Sequence, residues 1–352
     1  MSRFGDNVIL TVFGESHGPS VGAVLEGVEP GLEVTDELIS SFLDKRRPEG
    51  TTETARVEPD NFQILSGVFN GRTTGAPLCI LIPNENVRSS DYTPGIARPS
   101  HADYAAHVKY KGFEDYRGGG HFSGRVTAGI VAEGAVAIKA LEKRGIRIAT
   151  HILRCGGVCD SGFSDNIEAE IKELCKKNFP VIDDIETEMK EEILMAKNAG
   201  DSIGGIVQTA ITGLPAGVGE PWFDSLEGTI AKAVFAIGGV KGIEFGLGFG
   251  FGDKDARGSA VNDQFYMDGS AVKTFTNNNG GINGGISNGM PVIFNTAVKP
   301  TPSIAKGQKS VNFLKGEDIQ LETKGRHDPA IIRRICIVVT AVTAVAIYDC
   351  VK

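Results

Sequence analysis

Histidines in polar loops are the residues of this sequence best suited to acid–base chemistry. Six histidines occur, and four of them stand beside glycine, arginine or acidic residues: His17, His101, His121 and His327. Because imidazole titrates near neutral pH, such residues can donate or accept a proton during a reaction. The alternative is a loop histidine that only bonds the backbone. His107 and His151 lack comparable neighbours, and we interpret them as structural or surface residues.

Arginines recur beside the histidine and glycine motifs at Arg98, Arg117, Arg125 and Arg326. Two more, Arg46 and Arg47, close the first predicted helix. A planar guanidinium forms paired hydrogen bonds with phosphate or carboxylate. Each arginine alone is more often a solvated surface charge, but the repeated pairing makes an anion site an equal alternative. The glycine-rich loop at residues 118–125 also leads into a predicted helix N-terminus, where anions bind readily.

A third polar segment, Lys299-Pro300-Thr301-Pro302-Ser303, follows a predicted strand. Its two prolines stiffen the backbone and expose a lysine and two hydroxyls, although a rigid loop without function would look the same. Together, the three groups of residues indicate an enzyme that acts on a small phosphorylated or carboxylated substrate. They do not indicate a flavin.

Secondary-structure patterns supply the framework for these motifs. Short runs rich in Val, Ile and Leu predict strands at 8–13, 21–25, 64–69, 78–82, 146–152, 206–212 and 292–298. Helices are predicted at 36–46 (capped by Thr35), 126–144 (ended by Gly145), 167–177, 186–198 and 226–235. The apolar segment 331–351 could be helix or strand, and its length favours a helix. Its apolar part is too short for a membrane span, so we expect it in the core.

Composition narrows the class of protein. The 41% of hydrophobic residues suffice for a packed core, and the 46 glycines cluster at 118–120, 238–252 and 280–289, where we expect ordered loops. A net charge of −8 argues against nucleic-acid binding. Neither a dinucleotide-binding pattern nor a phosphate-binding P-loop pattern occurs, and no domain boundary is visible, so we expect one domain over 1–352.

The N-terminal residues lack the apolar segment of a secretory signal, and we expect a cytoplasmic location. Six cysteines occur, but no second Cys pair or His completes a zinc pattern around Cys155 and Cys159. The sequence therefore predicts reduced thiols and no metal site.

Long motifs in this sequence resemble those of the chorismate synthase family. They run in order from about residue 7 to about residue 340 and include Gly14-Glu15-Ser16-His17-Gly18, Arg98-Pro99-Ser100-His101-Ala102-Asp103, Asp115-Tyr116-Arg117-Gly118-Gly119-Gly120, Gly284-Gly285-Ile286-Ser287-Asn288-Gly289 and Lys324-Gly325-Arg326-His327-Asp328-Pro329. The family fold is an α/β (α+β) sandwich, a single large unit with helices between antiparallel sheets. The resemblance implies this fold and a homotetramer.

The resemblance also implies the reaction. It is an anti-1,4-elimination of phosphate from 5-enolpyruvylshikimate 3-phosphate to give chorismate. Reduced FMN is required, yet there is no net redox change. The electron source is an external reductant or intrinsic use of NADPH (an NADP link). We expect the external source, because no extra domain is visible to carry the second activity.

Residue roles follow from the resemblance alone. His17 would protonate the departing phosphate, His101 would be the acid that serves reduced FMN, and Asp328 would assist proton transfer at the flavin. The substrate would be bound by Arg46, Arg98 and Arg125. The FMN site would comprise His121, Phe122, Ser123, Gly238, Gly239, Gly284, Lys299, Pro300, Thr301, Pro302, Ser303 and Arg326.

Three positions depart from the family pattern. Residues 51–54 (Thr-Thr-Glu-Thr) lack the usual basic residue, Thr340 replaces a usual glutamate, and Gly238-Gly239 replace side chains that could contact flavin. The rival hypotheses are a homologue that has lost the reaction and a flavin- or phosphate-binding sensor. The intact His17, His101 and Asp328 favour catalysis.

Overall fold

Two antiparallel five-stranded sheets enclose helices in this protein. The structure, a computed structural model, describes residues 2–54, 56, 58–87, 89–322 and 328–352. The first sheet has the strand order β1-β2-β3-β7-β4 and the second has the order β11-β16-β10-β8-β9. Helix α3 packs against β2, β3 and β7 of the first sheet and against β8 of the second, while α8 packs against β8 and β10 of the second sheet and against α3. This confirms the predicted sandwich with helices between sheets.

The strands are β1 Arg3–Phe4, β2 Ile9–Gly14, β3 Ser20–Glu26, β4 Gln63–Ser66, β5 Val68–Phe69, β6 Arg72–Thr73, β7 Leu78–Pro83, β8 Arg147–Cys155, β9 Val158–Cys159, β10 Gly205–Thr212, β11 Val240–Phe245, β12 Phe265–Asp268, β13 Ala271–Thr274, β14 Ile282–Asn283, β15 Ile286–Ser287, β16 Val292–Val298, β17 Gln308–Asn312 and β18 Glu317–Leu321. The α-helices are α1 Asp36–Arg46, α2 Asp103–Tyr110, α3 Thr127–Glu142, α4 Ile167–Leu174, α5 Glu186–Asn198, α6 Leu226–Val234, α7 Gly258–Val261 and α8 Ile332–Cys350.

Helix α1 begins and ends as its sequence predicts. The Thr35 hydroxyl accepts a hydrogen bond from the Leu38 backbone N–H at 3.2 Å, and Asp36 and Glu37 occupy the first turn. Lys45 and Arg46 occupy the last turn, where positive charge suits the helix dipole. Arg46 is buried, so α1 ends with a cation inside the protein.

The buried helices α3 and α8 show why their sequences are rich in small and β-branched residues. Nearly every residue of α8 is buried, as expected for a helix that is apolar on all sides. A Cβ at Gly134 of α3 would stand 2.4 Å from the Ala341 Cβ of α8, so the two backbones can approach only because glycine lies there. The open choice between helix and strand for 331–351 is thereby settled as a helix.

Other boundaries differ from the sequence predictions. The predicted strand at 64–69 is two strands, β4 and β5, because Gly67 adopts a positive φ of 87° and turns the chain between them. Strand β8 extends three residues beyond the predicted end, and β11 lies inside the glycine-rich segment 238–252. Helix α2 and the hairpins β12–β13 and β17–β18 carry too little apolar periodicity to be predicted.

Candidate active site

A cavity of about 790 Å³ opens beside the ends of α1 and α8. The predicted site residues that line it are His17, Arg46, Arg98, Ser123, Arg125, Gly238, Thr301, Ser303 and Asp328. Apolar side chains from the start of α8 and from the β17–β18 hairpin, among them Ile335 and Leu314, form part of the wall. We call this space the main cavity. Its volume and mixed lining are typical of small-molecule sites.

Two arginines in the main cavity share one buried carboxylate. Arg46 donates to Asp60 at 3.4 Å, and Arg125 donates to the other Asp60 oxygen. Arg46 also donates to Thr127 and to the Gly124 carbonyl at 3.0 and 2.8 Å. Because two cations share one anion, the group keeps a net positive charge that suits an anionic ligand.

Two further arginines lie near this cluster, each with an acidic partner: Arg56 pairs with Glu58 at 2.8 Å, and Arg334 pairs with Asp328. Burial lowers the pKa of Arg46 to about 10; Asp60 opposes the shift, and the cations Arg125, Arg334 and Arg56 add to it. Arg56 and Arg334 both line the main cavity, and neither was among the predicted site residues. Arg56 lies two residues beyond the 51–54 segment that lacks a basic residue, so a wider search window would have found it.

His17 is buried at the edge of the main cavity. Its Nδ1 is 3.0 Å from the Ser89 hydroxyl, and its ring meets Tyr92 edge-on with centroids 5.2 Å apart. A hydroxyl can donate or accept, so this contact orients the ring without fixing which nitrogen carries the proton. The Arg56 guanidinium donates to the adjacent Ser16 hydroxyl at 3.2 Å. The His17 imidazole, which can donate a proton, therefore lies near the Arg56 cation.

The loop Gly118-Gly119-Gly120 separates His17 from His101. A Cβ at Gly118 would stand 2.4 Å from His17 Cδ2, and one at Gly119 would stand 2.9 Å from His101 Cε1. All three glycines have positive φ, which disfavours other residues. The loop is fixed to the first motif by a hydrogen bond from the Ser16 N–H to the Gly120 carbonyl at 3.0 Å. Glycine thus lets both imidazole rings lie against opposite sides of one backbone.

His101 lies in a second cavity of about 450 Å³ together with His121 and Phe122. We call this space the side cavity; Asp103, Glu114 and Tyr116 line both cavities. His121 bonds the Gly14 carbonyl at 3.2 Å and the Ser2 hydroxyl at 3.1 Å.

Asp103 and Arg98 both contact the His101 ring. His101 Nδ1 lies 2.8 Å from one Asp103 oxygen, and Arg98 donates to both oxygens at 2.7 and 2.8 Å. Burial alone would raise the pKa of Asp103, but the hydrogen bonds from Arg98 and His101 outweigh it and hold that pKa below its usual range. An ionised carboxylate only accepts, so it favours a hydrogen on Nδ1, whereas Arg98 Nη2, 3.0 Å from the same Nδ1, can only donate. Nε2 of the ring lies toward Gly119.

The remaining predicted site residues differ in where they lie relative to the two cavities. Lys299 donates to the Ser100 carbonyl at 2.5 Å and so supports the turn before His101. Gly239 accepts from the Lys299 backbone N–H at 2.9 Å beside the cavity-lining Gly238. Pro300 and Pro302 line neither cavity, and Gly284 lies in the exposed turn between β14 and β15. Arg326, together with His327, lies outside the described residues.

The residues of the main cavity fit the flavin that the resemblance implies. Within the described ranges, four buried polar atoms of its lining residues have no hydrogen-bond partner: Glu114 Oε2, Thr301 Oγ1, Asp328 Oδ1 and Arg334 Nε. Among them, the Thr301 hydroxyl can donate to or accept from the polar edge of a cofactor. A Cβ at Gly238 would be 3.9 Å from its nearest neighbour, the Phe122 carbonyl, so this backbone is open to a flat ring.

Two of the departures from the family pattern have a structural explanation. Thr340 of α8 donates to the Thr150 hydroxyl of β8 at 2.8 Å and lines neither cavity. Glu53 accepts two hydrogen bonds from Arg333, both at 2.7 Å, and so fastens the 51–54 segment to α8.

Two further features are absent from the part of the chain that the structure describes. There, no group of His, Cys, Asp and Glu side chains is arranged to hold a metal ion. None of the described helices combines the length and apolarity needed to cross a membrane.

Comparison with known proteins identifies relatives over nearly the whole chain. A family model described as chorismate synthase matches residues 8–351. A chorismate synthase from Pyrococcus abyssi is 45% identical over 96% of this chain and 94% of its own length. Those from Korarchaeum cryptofilum and Methanobrevibacter smithii are 43% and 44% identical, covering 98% and 99% of this chain and 96% and 95% of their own lengths.

Among solved structures, a crystal structure of chorismate synthase superimposes with a TM-score of 0.76 at 27% identity. It covers 98% of this chain and 92% of the other.

Proposed function

This chain belongs to the chorismate synthase family and has the function of these lyases in aromatic amino acid biosynthesis, and we propose that it acts on 5-enolpyruvylshikimate 3-phosphate with reduced FMN. In this reaction the C3–O bond to phosphate breaks, a proton leaves C6, and a new double bond forms. Reduced FMN, when bound, supplies electron density that assists phosphate departure and is then returned. The rest of the chemistry belongs to the chain's own side chains.

The observation that carries the proposal is the shared wall of the main cavity. His17 lies there with Arg46, Arg56 and Arg125 in a space that can hold a small anionic substrate. The substrate carries a phosphate and carboxylates, which the net positive arginine cluster can bind. We propose that His17 donates its proton to the departing phosphate oxygen, because protonation lowers the negative charge that the leaving group must carry.

Asp328 and His101 are proposed as the groups that handle protons on the cofactor side. Asp328 lines the main cavity, and one of its oxygens has no partner among the described residues. His101 approaches from the side cavity across Gly119, with its Nδ1 beside Asp103 and its Nε2 directed toward the loop. In its charged form, Nε2 would donate a proton from that side. Arg98 supports this ring through Asp103 and also lines the main cavity.

The family resemblance also supports proposals that the described contacts do not address. We propose that each chain acts as one domain over 1–352 in a cytoplasmic homotetramer and that an external reductant supplies reduced FMN. Pro300, Pro302, Gly284 and Arg326 remain proposed FMN contacts on the same ground.

An anaerobic assay tests the proposed function. Pure protein is mixed with 5-enolpyruvylshikimate 3-phosphate and chemically reduced FMN, and chorismate and free phosphate are followed together. We expect both in equal amounts, with neither formed when the FMN is oxidised. Binding of FMN without either product would instead identify a homologue that has lost the reaction, and Thr340 and Gly238 would then be the first residues to examine.

The electron source is tested in the same assay. NADPH with oxidised FMN replaces the chemically reduced flavin, and we expect no chorismate. Chorismate formation under these conditions would show that the chain reduces its own cofactor.

A further inference from the structure

Helix α8 begins with two arginines, Arg333 and Arg334, in its first turn. The N-terminus of a helix carries partial positive charge, so cations are disfavoured there. Both side chains are also largely buried, with exposed fractions of 5% and 16%. Burial lowers the pKa of Arg334, and the carboxylates of Glu53 and Asp60 oppose that effect. Residues that break a local rule in this way often mark functional positions.

Arg333 has a structural explanation. Its guanidinium forms the paired hydrogen bonds with Glu53 and donates to the Lys45 carbonyl at 3.1 Å. These contacts join the start of α8 to the end of α1, and Arg333 does not line the main cavity.

Arg334 has different contacts although it follows directly in sequence. It lines the main cavity and forms an ion pair through Nη2 with Asp328 Oδ2. Its Nε is 3.8 Å from Glu53 and has no hydrogen-bond partner within the described ranges. Asp328 is thus held at one oxygen by Arg334, while Oδ1 has no described partner.

We propose that Arg334 is a positioning residue that holds the Asp328 carboxylate, while the charge of Glu53, 3.8 Å from Arg334 Nε, stabilises the buried guanidinium. A carboxylate can rotate, and an ion pair with one oxygen limits that rotation and stabilises the charged form. The remaining oxygen is then available to the contents of the main cavity. This inference rests on the proposed function, in which Asp328 handles a proton near the cofactor.

The test compares neighbouring arginines under the same substitution. Arg334→Lys, Arg334→Gln and the control Arg333→Lys are examined for kcat and KM in the anaerobic assay, for FMN binding by fluorescence titration and for thermal unfolding. We expect Arg334→Gln to lower kcat about 10- to 100-fold, since a misplaced catalytic group costs about that much. FMN affinity and KM should change little, and Arg334→Lys should recover part of kcat. Arg333→Lys should lower the unfolding temperature while kcat stays near that of the parent.

A double-mutant cycle decides whether Arg334 acts through Asp328. In the Asp328→Asn background, Arg334→Gln should cause little further loss of kcat, because the residue to be positioned is already altered. Independent, multiplying losses would overturn the inference. So would a raised KM with unchanged kcat, because Arg334 would then bind a ligand directly. Should Arg334→Gln fail to fold, Arg334→Lys carries the test, since it keeps the charge but loses the planar fork.

Failure of the inference can be distinguished from failure of the proposed function. A parent protein without turnover overturns the proposed function and this inference with it. A parent that turns over beside an equally active Arg334→Gln variant overturns the inference alone.

Discussion

The two sides of the Gly118–Gly120 loop place the same type of side chain in different surroundings. His17 faces the main cavity, and its Nδ1 contacts the neutral Ser89 hydroxyl. His101 faces the side cavity, and its Nδ1 contacts the Asp103 carboxylate, which Arg98 also holds. Two histidines that contact one backbone segment therefore have different Nδ1 neighbours, a neutral hydroxyl and a carboxylate.

The difference concerns the charge of the group beside each Nδ1. Asp103, which accepts hydrogen bonds from Arg98, lies 2.8 Å from His101 Nδ1 and links this ring to a charged network. The Ser89 hydroxyl beside His17 Nδ1 is neutral and can donate or accept.

We expect the largest loss of kcat when either imidazole is removed. His17→Ala should lower kcat about 10²- to 10⁴-fold, because general acids contribute about that much, and His101→Ala should lower it toward the lower end of that range. Steady-state kinetics with reduced FMN measures both, and circular dichroism checks the fold. Near-normal turnover in both variants would contradict the acid assignments.

A methyl group on the glycine loop should disturb His17 more directly than any distant change. Gly118→Ala would place Cβ 2.4 Å from His17 Cδ2 at a φ of 60°, so the ring must move. We expect kcat to fall about 10- to 100-fold, as for other small displacements of reacting groups. Gly157→Ala is the control, because no atom lies within 4 Å of its Cβ position. Equal activity of both variants would show that the loop does not set the His17 position.

Substitution of the two Nδ1 partners sharpens the contrast between the rings. Asp103→Asn should lower kcat about 10-fold, because the amide leaves Arg98 and His101 without their anion. Ser89→Ala should change kcat by less than about threefold, since a neutral hydroxyl contact contributes only modestly. A larger loss for Ser89→Ala than for Asp103→Asn would reverse the comparison.

We expect the smallest effect from Asp103→Asn on the free energy of unfolding and on its dependence on pH. The folded state holds the pKa of Asp103 below its usual range. Its stabilising contribution is therefore present above about pH 3.9, the ordinary value, and is lost as pH falls further. Asp103→Asn should lower the free energy of unfolding by about 1–3 kcal/mol at pH 7. The gap to the parent should narrow below pH 4 in denaturant titrations, and a constant gap would argue against an ionised Asp103.

Local patterns were sufficient for several parts of the fold. The Thr35 cap and the charged turns of α1 act between residues three or four apart, so their sequence predicts the helix correctly. The 331–351 segment was also predicted correctly, because its length favours a helix over a strand. The β17–β18 hairpin escaped prediction because its strands are short and mostly polar.

The sequence by itself determined the residue types of the site and, through the motifs, the family to which the chain belongs. Only the tertiary structure decided that His17 and His101 lie on opposite sides of one loop and that Arg56 and Arg334 join the predicted arginines. It also decided that Glu53 meets Arg333, although 280 positions separate them. Such pairings depend on how two sheets and two buried helices pack, and no local spacing records that arrangement.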